Sequence, residues 1–123
     1  MPITHTLIKV APRDHAALVA FYTAALAPIG YKQLGNFPSG MSALGVQRPE
    51  WFMMASEDTT TSGVHVCFSA PDRAAVDAFH AAAIATGGKD NGTPGVRERM
   101  SPNYYAAFAF DTQGNNIEVA FAG

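Results

Sequence analysis

The sequence predicts an α+β fold built from two copies of a βαβββ module, and three observations carry that expectation. Two short strand-like runs, Ile3-Thr4-His5-Thr6-Leu7-Ile8 and Gly63-Val64-His65-Val66-Cys67-Phe68, hold a histidine at the same place. A proline-marked turn follows each of them, Ala11-Pro12-Arg13 and Ala70-Pro71-Asp72. Similar helical runs come next, Ala20-Phe21-Tyr22-Thr23-Ala24-Ala25 and Ala78-Phe79-His80-Ala81-Ala82-Ala83. Internal similarity of this kind marks a duplicated supersecondary unit. A chain of 123 residues has the usual size of one domain. We therefore expect a single domain over 1–123, with module one at about 1–56 and module two at about 63–123.

The first strand contains His5 and Ile8, and helix one runs from about Asp14 to Leu26. Its apolar stripe is Leu18, Phe21, Tyr22, Ala25 and Leu26, at helical spacing, and Pro28 and Gly30 end it. Three strands are expected after it, over Tyr31 to Phe37, Met41 to Val46 and Trp51 to Ala55. Glu57 to Ser62 is polar and threonine-rich and serves as the link between modules. In module two, helix two spans about Asp72 to Thr86 with Val76, Phe79, Ala83 and Ile84 turned inward. Gly87-Gly88 stops it, because glycine tolerates the left-handed conformation of helix ends. A poorly defined strand near Gly88 comes next, and Asn91 to Asn103, rich in Gly, Pro and charge, reads as a mobile loop near the ligand. Two apolar strands, Tyr104 to Phe110 and Asn116 to Phe121, flank the turn Asp111-Thr112-Gln113-Gly114-Asn115 and form an antiparallel hairpin.

Composition excludes several functions. With 48% apolar and 15% charged residues the chain is globular rather than disordered. A net charge of −2 leaves no basic stripe for nucleic acid. Cys67 is the only cysteine, so no internal disulfide forms and a reducing, cytoplasmic location is the natural expectation. No apolar stretch has the length of a membrane-spanning helix and no signal peptide is evident, so no membrane partner is expected.

Strand alternation then sorts the ionisable residues by face. Ile8 and Val10 share one face of the first strand, and His5 and Leu7 lie on the other. Val64, Val66 and Phe68 cover helix two, which leaves His65 and Cys67 opposite. Ile117, Val119 and Phe121 pack inward, which leaves Glu118 opposite. Two histidines and a carboxylate are the ligand set of many open metal sites, although spacing alone does not distinguish them from ordinary polar residues.

Beyond this reading, the chain resembles the vicinal oxygen chelate superfamily, the glyoxalase, bleomycin-resistance and ring-cleaving dioxygenase group. The residues that carry the resemblance are Ile3-Thr4-His5, Phe21-Tyr22 and Leu26, then Val64-His65-Val66 and Phe79. Most specific is Asp111-Thr112-Gln113-Gly114-Asn115-Asn116-Ile117-Glu118, similar to the family's D-x-x-G-N-x-I-E hairpin. The resemblance implies paired modules curled into a half-open, mixed-sheet barrel, with His5, His65 and Glu118 matching its metal ligands. Zn, Ni, Fe and Mn are ions such a set accepts. Some enzymes of the family add an acid on the last strand of module one. Here that strand is Trp51-Phe52-Met53-Met54, with Glu50 and Glu57 only at its edges, which favours three ligands.

The function implied is a metal-dependent enzyme of lyase- or dioxygenase-like type, its ion chelating adjacent oxygens of a small substrate. The alternative is a metal-free protein that sequesters a small molecule. Of the adjacent pair Tyr104 and Tyr105, only one can face the pocket; Tyr104 is the candidate catalytic phenol, and Arg97, near Arg99, the candidate grip on an anionic group. His15 and His80 read as helix-surface residues and Cys67 as a packing thiol. Phe37, Trp51, Phe52, Met53 and Met54 can supply pocket wall and core. A homodimer is expected, with His5 of one chain joining His65 and Glu118 of the other.

Overall fold

A computed structural model describes residues 3–59 and 64–123. Module one contains β1 (Thr6–Val10), α1 (His15–Ala25), β2 (Lys32–Gln33), β3 (Met41–Gly45) and β4 (Trp51–Ala55). Module two contains β5 (His65–Ser69), α2 (Arg73–Ala85), β6 (Lys89–Val96), β7 (Tyr104–Phe110) and β8 (Asn116–Ala122). Each module forms a four-stranded mixed sheet, in the order β1-β4-β3-β2 and β5-β8-β7-β6. The outer pair of each, β1 with β4 and β5 with β8, is parallel, because the helix carries the chain across before the strand returns. Among the described residues the two sheets are not hydrogen-bonded to each other, so no closed barrel forms within the chain. No helix among those residues is long and apolar enough to cross a membrane. Of the expected link over Glu57 to Ser62, positions 60–62 lie outside the described residues, as does Gly63.

Both helices form where apolar spacing and local caps put them. Leu18, Phe21, Tyr22 and Ala25 of α1 are fully buried. At the start of α2 the Asp72 carboxylate accepts the Ala75 amide at 2.8 Å, satisfying one of the free N–H groups of the first turn. Gly87 then takes a left-handed φ of +99°. Three expectations need correction. Ile84 does not turn inward; it is 42% exposed, because Val76, Phe79 and Ala83 already fill the stripe facing the sheet. The strand expected over Tyr31 to Phe37 shrinks to two residues at the sheet margin.

Asn91 to Asn103 also departs from expectation. Its first half is not a loop but part of β6, an eight-residue strand paired with β7. Register shifts between Asp90 and Gly92 and between Gly92 and Gly95 accommodate residues that suit strands poorly. As the edge strand of its sheet, β6 can also carry Pro94, which has no N–H to give. The connecting loop is confined to positions 97–103.

A continuous core unites the modules, running from Ile8 and Val10 through α1 and α2 to Ile117 and Val119. Aromatic contacts lead across it: Tyr22 to Trp51 at 5.1 Å, Trp51 to Phe68 at 5.2 Å, and Phe68 to Tyr31 at 5.4 Å. Trp51 belongs to the helix-covered face of module one and Phe68 to that of module two. The helix-covered faces thus share the core, and the opposite faces of both sheets are left outside it.

Candidate functional site

The open face of module two owes its position to the hairpin turn. Asp111 is buried, and its Oδ1 accepts the amides of Gln113 and Asn115 at 2.8 and 2.9 Å. Its Oδ2 accepts the Asn115 side-chain amide at 2.8 Å and the Tyr22 hydroxyl. Gly114 supplies the left-handed residue the turn requires, at φ +85°. The residues that carry the closest motif resemblance are therefore turn and anchor: they fix the register that puts Glu118 opposite Cys67 on β5 and Phe108 on β7.

On that face Glu118 is a buried carboxylate with two partners. His65 Nε2 lies 3.0 Å from Oε1, and the Tyr104 hydroxyl donates to Oε2 at 2.7 Å. The other nitrogen of His65, Nδ1, lies 3.2 Å from the Asn116 carbonyl oxygen. Cys67 Sγ is 3.7 Å from the same Tyr104 hydroxyl. Burial, with hydrogen bonds to Glu118 and Cys67 adding to it, raises the Tyr104 phenol, so it stays a donor. Burial of the sulfur also pushes the Cys67 thiol up to about 11; the Tyr104 hydroxyl opposes this and Glu118 reinforces it. The result is a connected patch of imidazole, carboxylate, phenol and thiol.

Module one offers a different surface. His5 is exposed, 5.1 Å from the Phe52 ring, with Thr4 Oγ1 3.0 Å from its Nδ1. Phe37 lies against Phe52 at 5.3 Å. Among the described residues no three His, Cys, Asp or Glu side chains are grouped to hold an ion. His65 and Glu118 are brought together, and His5 is not hydrogen-bonded to either. His5 and Cys67 do border a common cleft of about 260 Å³ between the edges of β1 and β5.

The remaining candidates have definite places. Tyr104 faces the patch, whereas Tyr105 points to the other side, donating to Asp77 beneath the Arg73 guanidinium. Arg97 lies over the Phe108 ring at 5.6 Å, and Arg99 is exposed. His15 Nε2 lies 3.1 Å from the Met53 carbonyl and His80 Nε2 2.9 Å from Asp90, so both serve the helix surfaces. The carboxyl of Asp90 is held below its ordinary value, first by the Gly92 amide and then by His80. Phe108, nearly parallel to the His65 ring at 6.0 Å, escaped the sequence reading. Its even-numbered alternation with Tyr104 was the available signal.

Neither a protein-family model nor a curated protein matches the sequence. Solved structures do match. A glyoxalase/bleomycin resistance protein from Albidiferax ferrireducens aligns with a TM-score of 0.86 at 25% identity, covering 99% of this chain and 100% of that one. A glyoxalase/bleomycin resistance protein/dioxygenase family enzyme from Burkholderia phytofirmans gives 0.75 at 18% identity, over 96% of each chain. Lactoylglutathione lyase from Agrobacterium tumefaciens gives 0.67 at 20% identity, over 98% of this chain and 92% of that one. By fold, the chain is similar to these glyoxalase/bleomycin resistance/dioxygenase proteins.

Proposed function

We propose that the chain is a metal-dependent enzyme whose divalent ion is held by His65 and Glu118 of one chain and His5 of a second. The observation that carries this reading is the His65–Glu118 pair. With Nδ1 within hydrogen-bond reach of the Asn116 carbonyl, a ring proton placed there leaves Nε2 to meet the carboxylate oxygen through a cation or a second proton. Two acceptors 3.0 Å apart repel unless a cation or proton sits between them. That separation also suits two neighbouring ligands each about 2.1 Å from a shared ion. A backbone carbonyl behind a histidine and a phenol behind a carboxylate are the outer partners that orient metal ligands.

When bound, such an ion supplies Lewis-acid polarisation of adjacent substrate oxygens, in a lyase- or dioxygenase-like reaction. The chain's own residues divide the remaining work. Tyr104 holds Glu118 in one rotamer. The Phe37–Phe52 surface of module one provides an apolar wall. His5 completes the ligand set when a second copy brings its module one against module two, and the outward-facing open sheets support that pairing. A single-chain site across the β1–β5 cleft is the competing geometry, favoured by His5 and Cys67 bordering the same space.

Elemental analysis of purified protein tests the reading. One divalent ion per chain is expected, lost in His65→Ala and in Glu118→Ala while circular dichroism shows both folded. Full occupancy in either variant overturns it. A protein that takes up no ion and retains an organic ligand instead supports metal-free sequestration, a reading to which the apolar surface of module one also lends itself.

A further inference from the structure

The open face of module two also carries a cation that the proposed metal centre does not use. Arg97 follows β6, and its guanidinium folds back over Phe108, the residue opposite Glu118 in the β7–β8 register. The seat is built from the backbone outward. Nη2 donates to the Thr93 carbonyl at 2.6 Å. Glycines leave room for the head group: a Cβ on Gly92 would come within 3.2 Å of Nη2, and one on Gly95 within 3.1 Å of Nη1.

A guanidinium held this way has given up much of its side-chain freedom before any ligand arrives, so an anion that meets it incurs less ordering cost. Yet among the described residues no carboxylate pairs with Arg97, unlike Lys9 and Arg13, which lie 3.9 and 3.8 Å from aspartates. Its planar fork matches the oxygens of a carboxylate or phosphate. The phenyl ring beneath it offers contact to a flat apolar body, and the next ring along is His65.

We propose that Arg97 and Phe108 form an anion-recognising arm of this site, and that its ligand is a flat or aromatic oxyanion. The apolar part of that ligand meets Phe108 and its charge meets Arg97. This rests on reading the His65–Glu118 face as the ligand site. Titration of metal-free protein with phenylphosphonate, benzoate and benzyl alcohol, followed by NMR at Gly92, Gly95 and Phe108, tests it. At least one of the two anions should saturate. Arg97→Gln should weaken it roughly tenfold or more, the scale of a charged hydrogen bond, with Arg97→Lys recovering only part. Benzyl alcohol should respond equally in all three proteins.

No saturable shift with either anion, or equal anion affinity in wild type and Arg97→Gln, overturns the proposal. Mn²⁺ added afterwards separates this inference from the one beneath it. Anion binding through Arg97 without uptake of Mn²⁺ or, in parallel samples, of Fe²⁺, Ni²⁺ or Zn²⁺ leaves the arm standing and removes the metal centre. Uptake of the ion with no anion effect does the reverse.

Discussion

Tyr104 links two ionisable groups of the open face. Its hydroxyl is within 2.7 Å of Glu118 and 3.7 Å of Cys67, so it orients the carboxylate and shields the thiol at once. Tyr104→Phe should keep the fold and the ion but lower metal affinity by roughly tenfold, the lower end for loss of an outer partner. Competition with a chelating dye measures this, and unchanged affinity would show that Glu118 needs no orienting. Cys67 gives a pH test at the same scale. Because burial and Glu118 favour the neutral thiol up to about 11, the reactive thiolate stays scarce well above the ordinary value of about 8.5. Alkylation of metal-free protein by iodoacetamide should therefore keep accelerating about tenfold per pH unit through about pH 10. A plateau that sets in near the ordinary thiol value would contradict the assignment.

At the scale of the element, the end of α2 is a tight junction. A Cβ on Gly88 would come within 2.6 Å of the Phe21 ring and 2.8 Å of the carbonyl oxygens of Ala83 and Phe110. Two of those three neighbours are backbone and cannot step aside cheaply. Gly88→Ala should cost about 2 kcal/mol, within the range for overpacked positions, and lower the midpoint of thermal unfolding measurably. An unchanged midpoint would mean that α1 and β6 adjust more freely than their packing suggests. The strand β6 makes the complementary point. Its sequence, Lys-Asp-Asn-Gly-Thr-Pro-Gly-Val, has little strand propensity, so neighbours rather than local preference create it. Antiparallel pairing with β7, interrupted at Gly92, is what turns an expected loop into the sheet edge that leads into Arg97.

For the whole molecule the deciding question is which module would complete the proposed site. The helix-covered faces meet in one core, leaving the face with His5 and the face with His65 and Glu118 both outside it. A two-fold partner would cover both faces and create two equivalent sites. Mixing His5→Ala protein with His65→Ala protein under conditions of exchange should partly restore metal binding, because one site of the hybrid then holds all three ligands intact. A hybrid shown to have formed, yet binding no ion, would place the site within one chain.

Much of this architecture was legible in the sequence because the relevant physics is local. The 3.6-residue stripe of Leu18, Phe21, Tyr22 and Ala25 marks a buried helix face within three turns. The two-residue alternation of Val66 and Phe68 against His65 and Cys67 assigns faces to β5 whatever lies beside it. Asp111, Gly114 and Asn115 close a turn whose bonds span no more than four residues. Face alone, however, does not bring residues into contact. His65 meets Glu118, 53 positions away, only through the parallel register of β5 and β8, and His5 shares their kind of face without joining them. Register, the existence of β6, the exposure of Ile84 and the docking of one module on the other depend on partners far along the chain. Only the tertiary structure decided these, because a short stretch of sequence carries its own dihedral preferences and periodicity but not the energy of contacts it has yet to make.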